Sequence, residues 1–212
     1  PCFHDEYLQT FNRPNVTLVD TKGKGVERIT ATGVVADGKE YALDCLIFAT
    51  GFEVGTDYAR RAGYQLVGRR GETLTEQWHD GVRTLHGIHV HGFPNCFIMM
   101  SVSQSGFTVN FPYMLNEQAK HIAYVVERAL ASGLRTVEVT AAAEAEWVDT
   151  IIARSAISAE FAEQCTPGYY NNEGAPNATS RQNGFFFGAP MEFVEILEQW
   201  RADGSMPGLE CR

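Results

Sequence analysis

No stretch of the chain carries the roughly eighteen consecutive apolar residues of a membrane-spanning helix, and its first residues, with His4, Asp5 and Glu6, have no signal-peptide character. Neither a membrane span nor a secretory leader is expected. Basic residues are scarce: 17 Lys and Arg face 26 Asp and Glu, for a formal charge of −9, and they are scattered. Nucleic acid needs a basic face, so it is excluded as a partner. The five cysteines are odd in number and never spaced C-x-x-C, and Cys45 and Cys96 sit in apolar runs. That suits a reducing cytoplasm better than a disulfide framework. No serine lies in a G-x-S-x-G elbow, and no G-x-G-x-x-G occurs; Gly23-Lys24-Gly25 lacks the third glycine and a following helical pattern.

What is present begins at Tyr41-Ala42-Leu43-Asp44-Cys45-Leu46-Ile47-Phe48-Ala49-Thr50-Gly51-Phe52. Leu43 to Phe48 has the short apolar run of a strand covered on both faces in a parallel sheet. Ala49-Thr50-Gly51 then stands at the carboxyl end of that strand. Cofactors bind there in open α/β sheets, and small residues let a dinucleotide approach the backbone.

Upstream, Val16 to Val19 reads as a strand, and Gly33-Val34-Val35, the turn Asp37-Gly38 and Glu40-Tyr41-Ala42 read as a hairpin. Thr56 to Val82 is a polar, Gly-rich surface excursion with one or two helical turns. Ile88 to Val90 and Cys96 to Met100 read as strands around the Gly92-Phe93-Pro94-Asn95 turn. A long helix follows Asn110 as N-cap, with Phe111, Leu115, Ile122 and Val126 on one stripe and Gly133 ending it. A second starts at Thr140 and carries Trp147, Val148, Ile151 and Ile152. A third has Pro190 near its start, Phe193, Val194, Leu197 and Trp200 on one face, and Gly204 past its end. Between these two lies Thr166 to Gly188, dense in Gly, Pro and Asn, a loop long enough to be functional. His86, His89 and His91 invite a metal, but no thiol or carboxylate stands at a matching offset, so an incidental polar strand is expected and no metal site.

In order along nearly the whole chain, several segments resemble the Baeyer-Villiger branch of the class B flavoprotein monooxygenases. These are Tyr7 to Val16, Ala49 to Phe52, Gly92 to Asn95, Asn110, His121 to Tyr124, Glu146 to Val148 and Cys165 to Gly174. The last of these looks like the members that take large cyclic or polycyclic ketones. The resemblance implies an α/β chain, the C-terminal part of a flavoprotein with two dinucleotide-binding domains, with short strands followed by three helices. Residues 1–50 would be the final strands of an NADP-binding domain. Residues 51–212 would be the C-terminal part of the FAD-binding domain, including a substrate and cofactor loop at 166–188. The family's Gly-rich FAD and NADP loops are expected in a missing N-terminal half. Its catalytic arginine would fall before Pro1, so no catalytic residue is assigned and the chain alone is expected to be inert.

The resemblance further implies that Thr50, Gly51, Asn110, Phe111 and Tyr169 contact FAD or NADP, with Tyr169 where many relatives carry Trp. Phe107 and Thr108 would face the ketone. A helix start supports such a place independently, since its free N–H groups and partial positive charge favour an anion. The loop departs from the family in having Met99-Met100-Ser101 in place of its usual Gly-Pro. The implied activity inserts one oxygen atom of O₂ beside a ketone carbonyl, giving an ester or lactone, at the expense of NADPH. Alternatives are a non-catalytic binding or assembly module, and an N-hydroxylating or sulfoxidising relative.

Overall fold

A computed structural model describes residues 4–51, 58–99, 103–107, 110–155 and 179–212. The chain divides into two compact units, Pro1–Phe52 and Glu53–Arg212.

In the first unit a single helical turn, α1 (Tyr7–Thr10), precedes a three-stranded antiparallel sheet of β1 (Arg28–Ile29), β2 (Gly33–Ala36) and β3 (Lys39–Ala42), in the order β1-β2-β3. Asp37 and Gly38, both with positive φ, make the β2–β3 turn, and Ala36 pairs with Lys39 across it. The hairpin is therefore as expected. The two other expected strands are not formed: residues 16–20 have no regular structure, and neither do residues 45–50. Leu43, Leu46, Ile47 and Phe48 are exposed. A parallel strand exists only through its neighbours, and among the described residues none pairs with this run.

The second unit opens with two short helices, α2 (Tyr58–Ala62) and α3 (Leu74–Gln77). The latter is closed by a capping box: the Thr73 side chain accepts from the Glu76 amide and the Glu76 carboxylate accepts from the Thr73 amide. Instead of two regular strands, residues 85–98 make only isolated bridges, Leu85 with His89 and His89 with Phe97, because His86 and Asn95 have positive φ and bend the backbone.

Three long helices follow: α4 (Phe111–Ala131), α5 (Ala141–Arg154) and α6 (Pro190–Asp203). Their ends lie where capping chemistry places them. Asn110 and Thr140 each accept from the third helical amide, and Gly204 ends α6 in the left-handed region at φ 78°. Between α4 and α5, β4 (Val137–Val139) pairs antiparallel with the terminal β5 (Leu209–Cys211).

The largest core joins Trp147 and Ile151 of α5 with Phe193, Val194 and Leu197 of α6, and adds Leu85, Met114, Val139 and Phe186. The inner faces of α5 and α6 are as expected, but that of α4 is not. It is formed by Met114, Glu117, Gln118, His121 and Val125, whereas Phe111 and Val126 are exposed. Polar residues on the buried face hide the true stripe from a hydropathy pattern. His121 is held there by partners from other elements, His89 and the Trp200 ring, and Glu117 by Lys120 on the same helix. Among the described residues no helix is long and apolar enough to cross a membrane.

Candidate functional site

The segment 103–107 leads to the start of α4 and lies directly on the core. Gly106 permits this: a Cβ there would stand 2.5 Å from the Phe193 ring. Beside it runs 184–186, joined in parallel by a bridge between Gly106 and Phe186 and by two bonds. The Gln104 amide donates to the Gly184 carbonyl (2.7 Å) and the Phe186 amide to the Ser105 carbonyl (2.9 Å).

Extended backbone sends successive side chains to opposite sides, which divides the run Phe185-Phe186-Phe187. Phe186 points into the core, its ring parallel to the Trp147 indole at 5.7 Å, with the Arg154 guanidinium 4.5 Å from its centroid. Phe185 and Phe187 take the other side. Phe107 stacks on Phe185 (4.5 Å), Phe185 on Phe187 (4.5 Å), and Phe111 meets Phe107 edge to face at 6.0 Å. Four phenylalanines thus form a half-buried wall at the amino end of α4. There Asn110 Oδ1 accepts from the Tyr113 amide at 3.1 Å, and the first turn carries no acidic residue.

Gln104 fixes the base of this wall. It is fully buried, in the left-handed region at φ 62°. Its Oε1 accepts from the Thr84 amide (2.9 Å) and hydroxyl (2.8 Å), and its Nε2 donates to the Val82 (2.6 Å) and Gln182 (3.0 Å) carbonyls. Its own carbonyl accepts from the Trp147 indole at 2.9 Å.

Behind the wall, burial lowers the pKa of all three imidazoles of a cluster formed by His86, His89 and His121, to about 3 for His86, well below the usual value for His89 and to about 4 for His121. His91, by contrast, lies apart, its Nδ1 2.8 Å from the Val139 carbonyl oxygen. Among the described residues no group of three His, Cys, Asp or Glu is arranged to hold a metal ion.

Of the residues singled out by sequence, Phe107, Asn110 and Phe111 come together at the wall. Thr50 and Gly51 belong to the first compact unit, where both are exposed and Gly51 has φ 79°. Thr108 and Tyr169 lie outside the described residues, as does 166–178 of the expected loop. Sequence reading missed Phe185, Phe187 and Gln104. Three consecutive phenylalanines between Gly184 and Gly188 were a visible signal, since in extended chain three consecutive side chains cannot all face one core.

No protein-family model matches the chain. Over its whole length it is 55% identical to pentalenolactone D synthase of Streptomyces arenae, covering 36% of that protein. It is 42% identical to Baeyer-Villiger monooxygenase 4 of a Dietzia species, over 99% of this chain and 34% of that protein. The fold agrees with that similarity. The polycyclic ketone monooxygenase of the thermophilic fungus Thermothelomyces thermophila superposes with a TM-score of 0.82 at 38% identity, over 98% of this chain and 34% of that one.

Along its whole length the chain is similar to one part of the Baeyer-Villiger monooxygenases. It spans about a third of the length of the relatives it matches. A steroid monooxygenase solved with NADP bound aligns over 97% of this chain and 37% of its own at TM-score 0.77 and 28% identity. NADP is thus a ligand within this family, and the chain's mixed helix and strand are those of the corresponding part of its members.

Proposed function

We propose that this chain supplies the substrate-facing and part of the cofactor-facing surface of an FAD- and NADPH-dependent Baeyer-Villiger monooxygenase acting on a large cyclic or polycyclic ketone. The observation that carries this is the wall of Phe107, Phe111, Phe185 and Phe187 at the capped start of α4. A half-buried cluster of flat rings suits a rigid hydrocarbon skeleton, and the relatives that act on such skeletons support the choice.

The residues present fit a flavin in two respects. The start of α4 brings the positive end of a long helix with no opposing carboxylate in its first turn, and Phe111 presents an exposed ring beside it. Asn110 and Phe111 would hold the edge of the flavin, Phe107 and Thr108 would face the ketone, and Thr50, Gly51 and Tyr169 would meet the nucleotides. Bound FAD, reduced by NADPH, would supply the activation of O₂. This chain's side chains orient the carbonyl and exclude water, and water left in the site would divert the reaction to hydrogen peroxide. Residues 1–50 are assigned to an NADP-binding domain and 51–212 to an FAD-binding domain.

The test is oxygen and NADPH consumption by the complete protein, reconstituted with FAD and offered cyclohexanone, a decalone and a steroid ketone. Ketone-dependent turnover matched by ester or lactone, with preference for the fused rings, is expected. Turnover that yields peroxide alone whatever the ketone overturns the proposal.

A further inference from the structure

We propose that Gln104 is a positioning residue that sets the aromatic wall and so the affinity for ketone; this rests on the function proposed above. One buried amide uses its full hydrogen-bonding capacity, two acceptor and two donor positions, on two segments far apart in sequence. The acceptor half holds Thr84, which is itself buried and whose hydroxyl accepts from the Gly87 amide. The donor half holds the carbonyls of Val82 and Gln182, and the Gln182 side chain also donates to Val82 at 2.8 Å. Asn183 adds a bond from the Val82 amide at 2.8 Å. The backbone of Gln104 meanwhile binds Gly184 and, through Trp147, α5.

Three residues beyond Gln104 stands Phe107, and three beyond Gln182 stands Phe185; these are the two rings that stack at 4.5 Å. The amide therefore clamps the bases of two short arms whose tips carry the wall. Glutamine has no intrinsic preference for positive φ, and a strained backbone persists only where its surroundings over-determine it. Here the four side-chain bonds do so.

Gln104→Glu separates the two halves of the clamp. It keeps both acceptor contacts with Thr84 but sets a carboxyl oxygen against the Val82 and Gln182 carbonyls. Gln104→Asn suits left-handed backbone yet is one methylene too short to reach both sides, and it covers the case in which the Glu variant does not fold. Two measurements on the complete protein decide.

By hydrogen-exchange mass spectrometry, peptides covering 103–107 and 180–187 are expected to exchange about tenfold faster in either variant, the effect of one mismatched hydrogen bond, with α5 peptides unchanged. In steady state the ketone KM is expected to rise by about the same factor while kcat holds within about twofold, because substrate binding and not the reaction is affected. Unchanged exchange in a folded variant overturns the clamp. Faster exchange with unchanged KM reduces Gln104 to a structural role and equally overturns the proposal. If the unsubstituted protein converts no ketone, the proposed function fails by that result, which the exchange measurement does not share.

Discussion

The Nε2 atoms of His89 and His121 lie 3.3 Å apart, with both rings buried. Such a contact requires one nitrogen to donate and the other to accept, so neutral rings satisfy it and two imidazolium rings do not. The His86 ring stands edge-on to His121 at 5.8 Å and to Trp147 at 4.8 Å. Other charged groups are close: His121 feels Arg201 of α6, and Glu117, one turn earlier on α4, pairs with Lys120 through one oxygen. A second Glu117 oxygen, one Arg201 nitrogen and the Nδ1 atoms of His86 and His121 are buried without a hydrogen-bond partner among the described residues.

Stability should therefore fall in mild acid. The three histidines have folded pKa values below their unfolded ones, to about 3 for His86 and about 4 for His121 and lower than usual for His89, all chiefly through burial. The unfolded chain thus binds more protons. Their contribution is fully present above the unfolded value of about 6.5 and is lost as pH falls toward about 4, at roughly 1.4 kcal/mol per pH unit for each histidine. Urea denaturation at intervals between pH 7.5 and 4.5 checks this; stability that is flat or rises toward acid contradicts it. His121→Phe is expected to reduce the slope by up to about one proton.

Glu144 is expected to matter more than its place on a helix surface suggests. Its Oε1 accepts from the His91 amide at 2.9 Å, and its Oε2 lies 3.5 Å from Arg83 Nε, in the first turn of α5. Glu144→Ala leaves the His91 amide unpaired and removes an acid from a helix start, a loss of about 2–3 kcal/mol. Glu144→Gln keeps the amide bond and should cost about half as much. Exposed Glu146→Ala should change stability by less than about 0.5 kcal/mol. Chemical denaturation of the three variants at pH 7.5 gives the comparison, and equal effects at 144 and 146 contradict it.

The phenylalanine run should split by function. Phe186→Ala empties a core position and is expected to cost about 3–5 kcal/mol. Phe185→Ala, which loses two stacked neighbours, should cost about 2 kcal/mol, and Phe187→Ala, which loses one, about 1 kcal/mol. Their effect belongs in ketone selectivity, read as the ratio of kcat/KM for a fused-ring ketone to that for cyclohexanone. A ratio unchanged by both surface substitutions, with melting temperature falling equally in all three variants, contradicts the division.

The helices were legible in the sequence because their determinants are local: Asn110, Thr140 and Gly204 carry the capping and termination within a residue or two of the ends. The run Leu43 to Phe48 carried the right composition for a strand, but composition does not supply the neighbour that makes a strand. On α4 the apolar pattern pointed at Phe111 and Val126, whereas the core receives Gln118 and His121. Only tertiary partners make those polar residues affordable inside, and the periodicity of one helix contains no record of them. At the wall, Asn110, Phe107 and Phe111 could be found because they adjoin a helix start. Phe185 and Phe187 reach it from a distant segment, and Gln104 resembles any polar loop residue until its four bonds are seen.

The alternation at Phe185, Phe186 and Phe187 also sets how this surface can diversify. Residues 185 and 187 can be exchanged for smaller or larger side chains while Phe186 stays in the core, so substrate range can drift among descendants by point substitution. Loss or gain of a single residue between Gly184 and Gly188 shifts the parity. It would hand a wall position to the core residue and bury a wall residue in its place. Lineages carrying this architecture are therefore free in what the two outer positions are and bound in how many residues separate them.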